Sequence, residues 1–304
     1  MIRLILLLNA ICFFFLSCKK NDINTEEVRL TAIETQFAGG SNRIAIEYNS
    51  SGKIVKLTSQ SASQPLVTLF NVSYNGNEIT MVVPEVINGL ARVTDTLRLT
   101  TDRNGRVQTK IRVSSQEYFA NPQRTYIYDT VLYEYDVAGL LAKELHYNKD
   151  STWFNPSAGL RNSVSRTIGT AIYTNSNGNL TSINEVSDFT ATTLDRGNIY
   201  LAKTNTVTVT MFEYTKAFKN KTDFSNAAIL NELRFLSGAP LNKNYANLPE
   251  KTTITSTTKD GSGTIISNQS STGSWSLSYN DYGFLSGRNN PAVSTEKTTY
   301  IYNK

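Results

Sequence analysis

Few residues in this chain are suited to acid–base, nucleophilic or metal chemistry, because it has one histidine and two cysteines in 304 residues. A metal centre built from Cys and His needs more ligands than this. The histidine, His146, follows Glu144 by two residues, and residues two apart share one face of a strand. One interpretation is a general base oriented by Glu144. The other is a polar residue on a half-exposed strand, which the lack of a GxSxG nucleophile motif favours.

Acidic and amide residues elsewhere fall mainly in turns, where their side chains hydrogen-bond to the backbone. Asp102, Asp136 and Asp281 lack the ligand spacing of an EF-hand calcium loop. A glycosidase needs two carboxylates that converge, and the spacing indicates no such pair. We therefore expect no catalytic residues, no metal and no cofactor, and a protein that is not an enzyme.

Aromatic residues concentrate in the middle of the chain. Tyr126 and Tyr128 share a strand face, as do Tyr133 and Tyr135. One interpretation is an aromatic platform for sugar rings, with Asn and Asp supplying hydrogen bonds; the other is cross-strand packing in one sheet. The candidate ligand-binding residues are Tyr126, Tyr128, Tyr133, Tyr135, Tyr147, Trp153 and Phe154.

The first residues have the organisation of a secretory signal peptide. Arg3 supplies a positive charge, residues 4–16 are almost wholly apolar, and the small Ser17 follows. The apolar run is shorter than the ~20 residues that a spanning helix needs. The alternative is an N-terminal membrane anchor or a buried helix.

Leu16, Ser17 and Cys18 resemble the end of a bacterial lipobox. The resemblance implies that residues 1–17 are removed and that Cys18 carries several acyl chains, enough for stable anchoring. The polar residues 18–27 then form a flexible tether. Residues 19–22 resemble the start of Bacteroidetes lipoproteins, which implies an outer-membrane lipoprotein on the periplasmic face or at the cell surface.

The net charge of +5 is small for a chain of this length, and Lys and Arg do not cluster with aromatic residues. This distribution gives no support to nucleic-acid binding. The expected partners are a membrane, through the lipid on Cys18, and a glycan or an envelope protein.

From residue 28 onward apolar residues alternate with a period of two, which is typical of strands. Residues 48–54 (YNSSGKI), 135–141 (YDVAGLL) and 279–285 (YNDYGFL) repeat one Tyr-to-Gly spacing. Such a segment predicts a strand that ends in Tyr, a turn begun by Asn or Asp, and a Gly with a positive φ. We predict an all-β fold, a large antiparallel meander of about 14–17 strands rolled into a barrel or half-barrel.

One segment departs from this pattern. Ile229, Leu230, Leu233 and Leu236 recur at helical spacing, which predicts one short helix near residues 225–237. No linker interrupts residues 28–304, so we expect one antiparallel β-sheet domain there. The alternative is a division near residues 150–165.

The Tyr-Asp-x-x-Gly-x-Leu unit resembles the YD repeats of Rhs-type shell proteins. A second resemblance is to an uncharacterised group of Bacteroidetes lipoproteins with a porin-like fold, through the lipoprotein start, the scattered YxxxGxL turns and residues 212–214 and 247–251. It implies a large antiparallel sheet rolled into a barrel or half-barrel, and brings no established activity. Three short motifs also resemble the Asp-Ser/Thr acceptor of Bacteroidetes O-glycosylation, which implies acceptors at Thr96, Thr130 and Ser151.

These observations together predict a membrane-anchored, non-enzymatic binding or scaffold module of the cell envelope. Neither face of residues 251–258 alternates in the way that a lipid-facing strand requires, so we expect a soluble sheet held beside the membrane by its lipid. The alternatives are an envelope hydrolase that uses carboxylates and a carrier of an apolar ligand in an open barrel.

Overall fold

The computed structural model describes residues 29–61, 64–87, 91–118, 123–153, 161–195, 197–214, 247–281, 283–289 and 297–303. All regular structure in these ranges is β-strand. The predicted helix near residues 225–237, Cys18 and Phe154 lie outside the described residues. Among the described residues there is no helix with the length and apolar character needed to cross a membrane.

Seventeen strands form one antiparallel sheet. Their bounds in chain order are β1 Leu30–Phe37, β2 Gly40–Tyr48, β3 Ile54–Ser61, β4 Gln64–Asn75, β5 Glu78–Ile87, β6 Ala91–Thr101, β7 Val107–Tyr118, β8 Arg124–Tyr135, β9 Leu141–Trp153, β10 Arg161–Ser176, β11 Asn179–Asp195, β12 Asn198–Glu213, β13 Lys251–Asp260, β14 Ile265–Ser274, β15 Ser276–Tyr279, β16 Leu285–Asn289 and β17 Lys297–Tyr302.

The sheet curls into a nearly closed barrel, because β1 pairs with β17 as well as with β2. Successive strands pair around the ring, except that β14 leads through Trp275 directly into β15. β14 pairs with β13, and β15 pairs with β16, so two consecutive parts of one extended segment pair with different neighbours. The predicted all-β antiparallel meander, its strand number and its rolling into a barrel are confirmed.

The Tyr-to-Gly segments form tight turns at one end of the barrel, which we name the turn end. In the first of them, the side-chain oxygen Oδ1 of Asn49 accepts hydrogen bonds from the backbone N–H groups of Ser51 and Lys53, each at 3.0 Å. Gly52 has a φ of 77°, a conformation that strains residues with a Cβ atom. The local sequence therefore determines where each strand reverses.

The hydrophobic core fills the turn end. Leu57, Met81 and Leu99 are fully buried there, and they define the inner face of the sheet. Leu248, from the segment that precedes β13, packs into the same core. The hydrogen bond from the backbone N–H of Asn247 to Oδ1 of Asn179 (2.9 Å) holds that segment across the turn end.

The other half of the barrel has a polar inner face. β10 and β11 have 16 and 17 residues, against 8 and 9 in β1 and β2, so the wall is taller on the side of β10 and β11. The inner residues of β10 in this half are mainly small and polar, as Ser163, Ser165 and Thr167 show. We name this half of the interior the lumen.

Candidate functional site

The alternation of β8 and β9 divides the predicted aromatic platform between the two faces of the sheet. Val131 is buried on the inner face and lies opposite His146, which fixes the inner face of both strands. Tyr133 and Tyr135 share that inner face, whereas Tyr126, Tyr128, Tyr147 and Trp153 lie on the outer face. The six described residues of the seven proposed from the sequence therefore do not form one surface.

Four outer-face aromatic residues remain together, and we name them the aromatic patch: Tyr126, Tyr128, Tyr147 and Trp153. Their exposed fractions are between 44% and 50%. The rings of Tyr126 and Trp153 meet edge to face, with centroids 5.4 Å apart and an interplanar angle of 86°. This geometry leaves ring surface open to solvent in a defined orientation.

Tyr135, on the inner face, has a structural role instead. Its hydroxyl donates a 2.7 Å hydrogen bond to the carbonyl of Val107, and the Arg106 guanidinium lies 4.9 Å from its ring centroid. Burial raises the pKa of Tyr135 to about 12. Tyr48 makes the same type of bond, to the carbonyl of Leu30 at 2.6 Å. The tyrosines that precede these two turns thus tie neighbouring strands together through their hydroxyl groups.

His146 and Glu144 point into the lumen as a hydrogen-bonded pair. His146 Nε2 lies 2.8 Å from Glu144 Oε2, and the Glu144 side chain is nearly buried. The hydrogen bond to Glu144 raises the pKa of His146, although burial opposes it, and Glu185 and Asp129 add to the rise. The two side chains, which the strand alternation places on one face, are therefore hydrogen-bonded to each other. Chemically, it can hold or exchange a proton.

A second polar pair in the lumen was not identified from the sequence. The Arg112 guanidinium donates from Nε to both carboxylate oxygens of Asp95, at 3.1 and 2.9 Å. Asp95 is buried, whereas the Arg112 side chain is 49% exposed although it points inward. Solvent therefore reaches this part of the lumen. The sequence contains little sign of the Asp95–Arg112 pair, because the two residues become neighbours only through the register of β6 and β7.

The three proposed glycosylation acceptors have similar surroundings. Thr96, Thr130 and Ser151 lie within strands on the outer face, and each is half-buried. The preceding aspartates face inward, and burial is the main cause that raises the pKa of one of them, Asp150. The structure thus separates each motif between the two sides of the wall.

Turn acids act on the backbone. Asp102 Oδ1 accepts hydrogen bonds from the N–H groups of Asn104 (2.8 Å) and Arg106 (2.9 Å). Although slight burial opposes it, the hydrogen bonds from the Arg106 side chain and backbone and from Asn104 lower the pKa of Asp102. Within the described ranges, no group of three or more His, Cys, Asp or Glu side chains is arranged to hold a metal ion.

Comparison with protein-family models gives no match. No curated protein matches the sequence either. Several solved structures are similar, and two of them are porin-like proteins. A porin-like protein from Bacteroides vulgatus ATCC 8482 has a TM-score of 0.49 and 12% identity, covering 91% of this chain and 99% of that one. A porin-like protein from Bacteroides uniformis ATCC 8492 has a TM-score of 0.43 and 9% identity, covering 90% and 96%. At these values neither resemblance assigns an activity to this chain.

Proposed function

We propose that this chain is a lipid-anchored, non-enzymatic binding protein of the bacterial cell envelope, and that the aromatic patch binds carbohydrate. The observation that supports it is the exposure of four large rings on one face of two neighbouring strands. Aromatic side chains are usually buried in the core of a protein. A cluster of them exposed on the surface is therefore typical of a binding site. Flat rings with polar neighbours suit the apolar faces and hydroxyl groups of sugars.

A glycan array with the purified mature chain tests the proposal. The double variant Tyr126→Ala/Trp153→Ala should bind its glycan about tenfold more weakly or not at all, as expected when central aromatic contacts are removed. Tyr200→Ala is the matched control, because Tyr200 is 57% exposed but lies on β12, outside the aromatic patch. An unchanged affinity of the double variant, or no bound glycan, would refute the proposal.

The anchor is proposed from the lipobox at residues 16–18. In a bacterial host, Cys18→Ala should remove the lipid and release the protein from the membrane fraction. Mass spectrometry of the mature N-terminus measures the acyl chains directly. A Cys18→Ala variant that stays in the membrane fraction would show that the anchor lies elsewhere.

The Glu144–His146 pair supports a second candidate, an envelope hydrolase that uses a carboxylate and the histidine as a general base. Purified protein should then hydrolyse nitrophenyl esters or glycosides, and His146→Gln should abolish the reaction. No turnover above the rate of the buffer would remove this candidate. The lumen gives little support to a carrier of apolar ligands, because its solvent-accessible wall is mainly polar in the described strands.

A further inference from the structure

We infer that the ligand of the aromatic patch is an anionic polysaccharide, one that carries carboxylate or sulfate groups on its sugar rings. This inference rests on the proposed carbohydrate binding and names the chemical class of the ligand. It comes from three basic residues beside the patch, which we name the cation row: Lys149 on β9, Arg166 on β10 and Lys203 on β12.

The cation row is a straight line across the outer face. Lys149 lies opposite Tyr128 on one side and Arg166 on the other. Arg166 lies opposite Thr190, and Thr190 lies opposite Lys203. Neighbouring strands are about 4.8 Å apart, so the row extends about 14 Å from Lys149 to Lys203. The row therefore begins at the aromatic patch and continues away from it.

Lys149 and Arg166 oppose each other with like charge, in contrast to five other pairs on the outer face. In each of these five, an acidic residue opposes a basic one in register and a salt bridge joins them. These pairs are Glu34–Arg43, Glu47–Lys56, Glu117–Arg124, Glu134–Lys143 and Glu213–Lys251. Among the registers of the described strands, no other pair opposes two like charges. Directly opposed like charges destabilise a sheet, so the exception points to a ligand.

All three basic residues of the row are exposed, and among the described residues none of them forms a salt bridge. The acidic residue on the outer face of β11 is Asp188, and its Oδ1 accepts a 3.0 Å hydrogen bond from the Asn205 amide. An anionic ligand would supply the missing counter-charge, and its sugar rings would reach the aromatic patch at the start of the row.

The test compares two polymers with the same backbone, polygalacturonate and its fully methyl-esterified, uncharged form. Wild-type protein should bind polygalacturonate more tightly at low salt, and added salt should reduce the difference. The variant Lys149→Gln/Arg166→Gln should bind polygalacturonate about tenfold more weakly and the ester unchanged. Lys143→Gln is the matched control, since it removes one charge from β9 at a position paired with Glu134.

The outcomes separate the two proposals. Equal binding of both polymers, unaffected by Lys149→Gln/Arg166→Gln, would overturn the anionic ligand while carbohydrate binding stands. Binding of neither polymer, together with a negative glycan array, would overturn both. Vesicles with anionic lipids and single-stranded DNA of equal charge complete the series. Tighter binding to either of them than to polygalacturonate would show that the cation row serves another class of ligand.

Discussion

Reversing one charge of the cation row should stabilise the fold while it weakens anion binding. Lys149→Glu converts the like-charge pair with Arg166 into an opposed acid–base pair, the arrangement of the other outer-face pairs. Position 149 lies between Tyr128 on β8 and Arg166 on β10. The outer-face positions of β9 and β10 include no acidic side chain. The new carboxylate therefore meets a basic partner and no new repulsion on these strands.

The size of the effect follows from Coulomb's law. Two unit charges about 6 Å apart in water interact by about 0.7 kcal/mol, so reversing the sign changes the pair energy by about 1.4 kcal/mol. At 0.1 M salt, where the Debye length is ≈ 10 Å, screening leaves about 0.8 kcal/mol. Exposed ion pairs measured in other proteins fall between 0.2 and 1 kcal/mol, so we expect a gain of roughly 0.5–1 kcal/mol.

Urea unfolding of the purified protein at 20 mM and at 1 M salt measures this gain. Lys143→Glu is the control, because it makes the same charge change on the same strand but turns the 3.3 Å Lys143–Glu134 pair into a repulsive one. Its free energy of unfolding should fall by a similar amount. The two variants have equal net charge, so their difference of roughly 1–2 kcal/mol isolates the local pair.

Two results would refute the reasoning. If Lys149→Glu and Lys143→Glu destabilise equally, the Lys149–Arg166 pair carries no repulsion, and the argument from cross-strand pairing fails. If the difference between them does not shrink at 1 M salt, it is not electrostatic in origin, because exposed charges are strongly screened there.

Three further outcomes concern the core, the lumen and the turns. Met81→Ala should lower the free energy of unfolding in urea by about 2–4 kcal/mol, since its side chain is fully buried; a loss near zero would contradict the assigned core. The hydrogen bond to Glu144 raises the pKa of His146 in the folded protein. The pair therefore stabilises the fold below the pKa that His146 has in the unfolded chain, and this stability is lost as the pH rises through its pKa in the folded protein. Glu144→Gln should remove this pH dependence and lower the pKa seen in an NMR titration of the single histidine, and an unchanged titration would contradict the pair. Gly105→Ala should lower the free energy of unfolding by about 1–2 kcal/mol, because the φ of Gly105 is 75°. An added Cβ would contact nothing within 4 Å, so the loss reports backbone strain alone, and a neutral change would show that the turn adapts.

The turns and the strand pattern were predictable because they depend on local sequence. Asn49 and Gly52 act within one turn, and the alternation of apolar residues needs no knowledge of distant strands. The same alternation already separates Tyr126 and Tyr128 from Tyr133 and Tyr135, because an odd offset changes the face of a strand. Treating all of them as one platform overlooked that parity, and the structure corrects it.

Contacts between strands were not predictable in the same way. Arg112 meets Asp95, and Lys149 meets Arg166, only through registers that the turn lengths and the bulges of each hairpin set. A shift of one residue in either hairpin would move one partner to the opposite face. The lumen also depends on contacts between strands, since its polar wall forms only when β8 to β12 pair and curve into the barrel.

The sequence by itself determined the class of the fold, the position of its Tyr-to-Gly turns and the placing of Glu144 and His146 on one strand face, because each depends on residues close together in the chain. The tertiary structure decided which end of the barrel is filled, which aromatic rings face outward, and which charges stand opposite one another. These features depend on the closure of the sheet and on the register of strands, and both are set by interactions between residues far apart in sequence.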